Sequence, residues 1–259
     1  MSGRKFLRPG RPPNGGTGLA RTLSKLGYCS RSQAWELIRA RRVAVNGILC
    51  ADPERRVQVG RDRIEVDGTS LRAAAKVYLM LNKPRGLVTT AADEHGRQTV
   101  FACLADKNLP FVSPVGRLDQ ASEGLLLFTN DSAWAAHITN PAARVPKTYH
   151  VQIDRVADEV LARQIQTGVT VDGDHLAARS VSLLRHGTRT SWLEVVLEEG
   201  KNRHLRRLLG SLGINVLRLV RVAIGPLRLG SLGKGQVREL SAHEISALRP
   251  DKIGQKSKR

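Results

Sequence analysis

Acidic residues are scarce in this chain. Its 259 residues carry 23 Asp and Glu against 42 Lys and Arg, a formal net charge of +19 at neutral pH. That imbalance argues against a basic partner and points to a polyanion, either nucleic acid or an anionic membrane surface. Long apolar runs are missing too. None approaches the roughly 20 residues needed to cross a bilayer, so a membrane-spanning protein is not expected. The three cysteines, Cys29, Cys50 and Cys103, are widely separated and odd in number. They fit neither a disulfide framework nor a zinc site, and they suit a reducing cytoplasm. There is no GxGxxG after a strand, no GxxxxGK[ST], no HExxH and no CxxC. The seven histidines lack ligand spacing. No cofactor and no metal are therefore expected, and nucleic acid becomes the leading partner.

What is present falls into successive blocks. Residues 1–16 are Arg-rich and acid-free but interrupted by Pro and Gly, which reads as a disordered basic arm rather than a targeting helix. GLARTLSKLG is a short helix ending at Gly27, and Ser30 with Gln33 forms a capping box for a second, RSQAWELIRARR. Ala34, Trp35, Leu37 and Ile38 give that helix an apolar side. Arg31, Arg39, Arg41 and Arg42 crowd its remaining surface and end, as an RNA-contacting set. VAVNGILC is a hairpin around Asn46-Gly47, and DRIEVDG a further strand. Residues 17–68 thus make one small unit. Its pattern resembles the S4-like RNA-binding domain of ribosomal proteins and RNA-modifying enzymes.

Residues 69–75 read as a linker, 76–246 as a second domain and 247–259 as a polar basic tail. KVYLMLNKP, GLLLF, KTYHVQI and INVLRLVRVAIG are strands, and VSLLRHGTRTSWLEVVLEEG is a hairpin turning near Gly187. DSAWAAHIT, DEVLARQIQ and KNRHLRRLLGSLG are helices. The fold class is α+β, a mainly antiparallel mixed sheet with flanking helices.

One stretch poses a chemical question. In GRLDQASEGLLLFTND, Asp119 follows Arg117 and Leu118 and precedes Leu125–Leu127, with no second carboxylate nearby. A carboxylate against an apolar wall needs a cation to stay ionised, because burial disfavours the charge. Residues 201–236 contain no Asp or Glu. There Arg203, Arg206 and Arg207 lie at i, i+3 and i+4 on one broad helix face, able to hold phosphates or to reach a buried carboxylate. His95 and His204 read as a loop residue and a helix-surface residue.

GRLDQASEGLLLFTND closely resembles the signature of the RsuA family of pseudouridine synthases. LNKPRGLVTT, PKTYHV, EGKNRHLRRLL and NVLRLVRVAIGPLRLGSLGKGQVREL resemble further family segments, in the family's order and behind the same S4-like domain. The resemblance implies an isomerase that needs no cofactor and acts on uridine within ribosomal RNA, with the large subunit preferred. By motif position it makes Asp119 the catalytic carboxylate, Tyr149 the residue that stacks on the uracil, and Arg206 the partner of Asp119. Leu219 floors the pocket, and Arg117 fills the gap left by the flipped nucleotide. Lys147, Asn202, Arg203 and Arg207 contact substrate. A monomer is expected. Ala121 and Ser122 stand where the family commonly has Asp and Thr, so a loop hydrogen bond is expected to be lost. Gln120, Phe128 and His204 also depart from the pattern. The competing reading is an RNA-binding or ribosome-assembly protein that keeps the fold without catalysis. An S4-bearing rRNA methyltransferase would need a glycine-rich cofactor loop, which the chain lacks.

Overall fold

A computed structural model describes residues 16–91 and 93–250. Most of the expected basic arm and the end of the expected tail lie outside the described residues. The chain divides into two compact units, 1–75 and 76–259.

In the first unit, helices Leu19–Lys25 and Arg31–Arg39 pack beside the strands Val43–Val45, Ile48–Cys50, Ile64–Val66 and Thr69–Ser70. Ser30 accepts from the Gln33 amide at 3.2 Å and Gln33 returns the bond at 3.0 Å. Such a cap is worth about 1 kcal/mol. Asn46 and Gly47 both sit at positive φ, 54° and 77°, as a tight two-residue hairpin requires. Asp67 and Gly68 repeat the device, so the expected last strand continues into a second hairpin. Leu19, Leu23, Ala34, Ile38, Val43, Val45, Ile64 and Val66 form the core. Trp35 is not part of it. The indole sits on the outer side of its helix, 38% exposed, because Ala34 and Ile38 already fill the inward positions.

The second unit is built on a nine-stranded mixed sheet. Its main path runs Ser180–His186, Ser191–Leu197, Lys147–Ile153, Val216–Ile224, Glu123–Thr129, Tyr78–Lys83 and Val237–Glu239. Neighbours are antiparallel except Val216–Ile224 beside Glu123–Thr129. At that parallel step Gly124 has φ 102°, and a Cβ there would lie 2.2 Å from the Arg221 carbonyl oxygen. Only glycine permits the approach, which accounts for the glycine in EGLLLF.

Every residue of Glu123–Thr129 is buried. Leu126 and Phe128 face one core, with Leu79, Leu81 and Leu118. Leu125 and Leu127 face another, with Met80, Trp134 and Ile138. The run of leucines thus reflects a strand covered on both faces. Helices Glu159–Thr167 and His204–Ser211 cover the other half of the sheet, where Leu161, Ile165, Leu205, Leu208 and Leu209 pack on Val151, Leu193, Val195 and Leu219.

Candidate active site

Asp119 occupies the turn that delivers the chain into the buried strand Glu123–Thr129. The backbone of this turn is held on every carbonyl from 118 to 122. Thr89 Oγ1 donates to the Leu118 oxygen at 2.7 Å. Lys83 Nζ donates to the oxygens of Asp119 and Ser122 at 3.2 and 2.9 Å, and to that of Pro84 at 3.1 Å. The Gly86 amide donates to the Gln120 oxygen at 2.8 Å, and the Gln120 side-chain amide returns a bond to Gly86 at 3.1 Å. Arg206 Nη2 donates to the Ala121 oxygen at 3.3 Å. With five consecutive carbonyls engaged, the turn is fixed and its aspartate faces the cavity. Ala121 has no side-chain hydrogen bond to offer, and its place in the turn is held through its carbonyl oxygen by Arg206.

Lys83 is the residue that the sequence reading missed. Its side chain has no exposed surface, although it closes an apolar strand immediately before Pro84. Burial pulls the ammonium down to about 8, while the charges of Asp119 and Glu123 act in the opposite direction. The sequence signal was its place at the end of an apolar strand. In YLMLNK every residue after the tyrosine is buried, the lysine included, and a buried ammonium requires acceptors.

Facing the turn is a cavity of about 520 Å³, a size suited to a small ligand or one nucleotide. Asp119, Arg117, Tyr149, Lys147, Arg203, Arg206 and Leu219 all line it, from four separate segments. Tyr149 reaches it from the strand Lys147–Ile153. The pairing register with Val216–Ile224 shifts between Thr148 and Tyr149, and such an irregularity re-aims side chains. Leu219 lies two residues before Arg221, which is buried and holds the Leu125 and Arg117 carbonyl oxygens at 2.7 and 3.5 Å. The apolar lining includes Leu118, Leu197, Leu205, Leu219 and Ile224. Leu125–Leu127, expected as the wall behind Asp119, are instead consumed in the two cores.

Arg206 does not form a contact ion pair with Asp119. Its guanidinium donates to Ala121 and Val216 oxygens, both at 3.3 Å, and among the described residues no basic group lies within 4.0 Å of the Asp119 carboxylate. Burial lowers the Arg206 pKa and the Asp119 charge raises it, so the two interact at longer range. Arg207 points elsewhere altogether. It binds Asp174 at 2.8 Å and the Val171 oxygen at 2.8 Å, tying its helix to the hairpin Val169–Leu176. It lines neither cavity at the turn. Arg203, at φ 49° just before the helix, does face the cavity.

His204 is likewise not a surface residue. Only 4% exposed, it bonds the Ala177 oxygen at 3.1 Å through Nε2 and anchors the helix start. A second, more polar depression of about 860 Å³ adjoins the first and shares Arg117, Asp119, Arg203 and Arg206 with it. Asn202, His95 and Arg85 join its rim. Glu123 is buried beneath the turn. Arg218 at 2.8 Å and Lys234 at 2.9 Å hold its carboxyl down at about 2.

In the first unit Arg31, Arg39, Arg41 and Arg42 are all exposed. Arg42 is held by both carboxylate oxygens of Asp67. Among the described residues no group of three or more His, Cys, Asp or Glu is placed to hold a metal ion. No helix there is long and apolar enough to cross a membrane.

A model of the RNA pseudouridylate synthase family matches residues 77–211, and a model of the S4 domain matches residues 17–64. The ribosomal large subunit pseudouridine synthase B of Bacillus subtilis is 34% identical over 234 residues, covering 89% of this chain and 95% of its own length. An uncharacterised RNA pseudouridine synthase of Rickettsia conorii is 38% identical, covering 86% and 96%. The crystal structure of a pseudouridylate synthase, 28% identical, matches with a TM-score of 0.61 over 90% of this chain and 100% of that one.

Proposed function

Because this chain belongs to the RNA pseudouridylate synthase family and carries an S4 domain ahead of the enzyme core, we propose that it converts a uridine of large-subunit ribosomal RNA to pseudouridine, with Asp119 as the essential carboxylate. The observation that carries this reading is the convergence of Asp119, Tyr149, Arg206 and Leu219 on one cavity. A protein that only bound RNA would have no use for a carboxylate presented so rigidly among arginines. The large subunit is preferred because the Bacillus relative is named for it.

The target uridine must leave its stack, since its glycosidic bond is inaccessible within a helix, and unstacking costs a few kcal/mol. Arg117, exposed at the mouth, fills the vacated space. Inside, Asp119 acts on the ribose, either attacking it as a nucleophile or removing a proton from it. The base detaches from C1′ at N1, turns, and rejoins through C5. The proton lost from C5 is balanced by one gained at N1. No redox change and no energy source enter. Tyr149 stacks on the uracil while it is detached, and Leu219 supports the ring from below.

Tyr149 should therefore matter for turnover more than for affinity. Tyr149→Leu is expected to lower kcat by about 10²-fold while leaving RNA affinity nearly unchanged, and Tyr149→Phe to retain more activity through the remaining ring. Single-turnover rates measured beside filter binding check this split. The reading itself is tested by incubating purified protein with unmodified large-subunit and small-subunit rRNA transcripts in chelator-containing buffer. Pseudouridine at a defined large-subunit position is the expected product. Its absence from both transcripts overturns the catalytic reading, and its appearance only in the small-subunit transcript overturns the choice of subunit.

A further inference from the structure

The most conspicuous unassigned feature lies on the S4 domain. Trp35 is exposed on a helix whose inward positions are filled by Ala34 and Ile38, and the indole stands outside the core. Arg31 and Arg39, one turn before and one turn after, share its face. The Arg39 guanidinium lies 5.0 Å from the ring centroid. Two depressions meet at this indole. One, of about 680 Å³, is lined by Arg31, Ser32, Glu36 and Arg39; the other, of about 480 Å³, has Arg21, Glu54 and Arg56 on its rim. Four arginines thus face two glutamates around an exposed aromatic ring. Arg56 is engaged with the Gly16 oxygen. Among the described residues, the ion pairs of this unit join Arg42 to Asp67 and Arg63 to Glu65 and leave Arg21, Arg31 and Arg39 without an acidic partner.

We propose that Trp35 is a stacking shelf for one unpaired nucleotide of the RNA, with Arg21 and Arg31 holding its flanking phosphates. The inference rests on the RNA-directed function proposed above and adds a contact, made by the S4 domain, that reads unpaired structure. Charge selects the occupant, since a ring set among unneutralised arginines suits an aromatic base joined to phosphates. An exposed ring also accepts any base, because every base presents a π-face. Stacking of this kind is worth about 1–3 kcal/mol per base, which corresponds to roughly 5- to 150-fold in affinity. Arg39 already covers part of the indole and adds a cation–π contribution. Substitution removes no charge, so the loss should not alter the salt dependence of binding.

The test uses the full chain with two probes, a large-subunit rRNA transcript and a perfectly paired 16-base-pair RNA duplex. Trp35→Ala is expected to weaken binding to the transcript by roughly 5- to 150-fold, with an unchanged salt slope and an unchanged affinity for the duplex. Trp35→Phe should recover most of the loss. Transcript binding by Trp35→Ala equal to that of the unmodified chain overturns the shelf. So does an equal loss on transcript and duplex, which would mark a general disturbance of the helix. If the unmodified chain binds neither probe, both this inference and the RNA-directed function fall. Normal pseudouridine formation together with an indifferent Trp35 removes the shelf alone.

Discussion

Asp119→Asn abolishes pseudouridine formation, a loss of about 10⁴-fold or more, while the protein stays folded and keeps its affinity for RNA. Asparagine preserves the size of the side chain but can neither attack a ribose carbon nor take up a proton. The fold does not depend on the carboxylate. Among the described residues its oxygens make no hydrogen bond or contact ion pair, and the turn is held through the main chain by Lys83, Thr89, Gly86 and Arg206. Stability should therefore change by less than about 1 kcal/mol, as for substitutions away from buried networks. Thermal unfolding, filter binding and single-turnover assays on one preparation separate the effects. A variant inactive because it is unfolded would contradict the account as fully as an active one.

Lys83→Met gives the second large effect, with a different signature. Methionine keeps the packed stem and deletes the ammonium, releasing the oxygens of Pro84, Asp119 and Ser122 together. Two opposing terms then decide stability. Removing a buried charge returns the cost implied by a fall from 10.5 to about 8, on the order of 3 kcal/mol. Unmaking three hydrogen bonds costs about 1 kcal/mol each. These nearly cancel, so the melting temperature should move little. Activity should not escape, because a turn free to shift by an ångström misplaces Asp119, which costs about 10²-fold.

The same group predicts a pH dependence. A lysine whose folded pKa is depressed binds fewer protons when folded than when unfolded between pH 8 and 10.5. Stability relative to Lys83→Met should therefore rise with pH across that window. Activity should fall through about pH 8, because a neutral amine has only two hydrogens for three oxygens. Urea titrations and rate profiles of both proteins across this range check both slopes, and a Lys83→Met profile with the same alkaline fall would contradict the assignment.

Local chemistry made much of the fold legible. The Ser30–Gln33 box, the Asn46-Gly47 turn and the strand pattern of KTYHVQI are decided by neighbours in sequence, and the structure places them as read. Features fixed by distant partners were harder. The spacing sets Arg207 on one helix face with Arg203 and Arg206, but Arg203 lies just before the helix and the hairpin carrying Asp172 and Asp174, with its Asp172-Gly173 turn, captures Arg207. Trp35 reads with Ala34, Leu37 and Ile38 as one apolar side, yet one step around a helix turns a side chain by about 100° and leaves the indole outside the core. Lys83 could not be assigned because two of its acceptors lie on a turn 36 and 39 residues away. At the site, motif resemblance pointed to Asp119, Tyr149 and Leu219, which share one cavity. It did not supply the bracing of the turn, which is a main-chain property that no side-chain pattern reports.

The most direct measurement is a nucleotide-resolution pseudouridine map of ribosomal RNA from cells lacking this gene, complemented with either the unmodified protein or Asp119→Asn. On the proposed function, one or more large-subunit pseudouridines vanish on deletion, return with the unmodified protein, and stay absent with stably expressed Asp119→Asn. A map unchanged by deletion, or a site restored by Asp119→Asn, would contradict it.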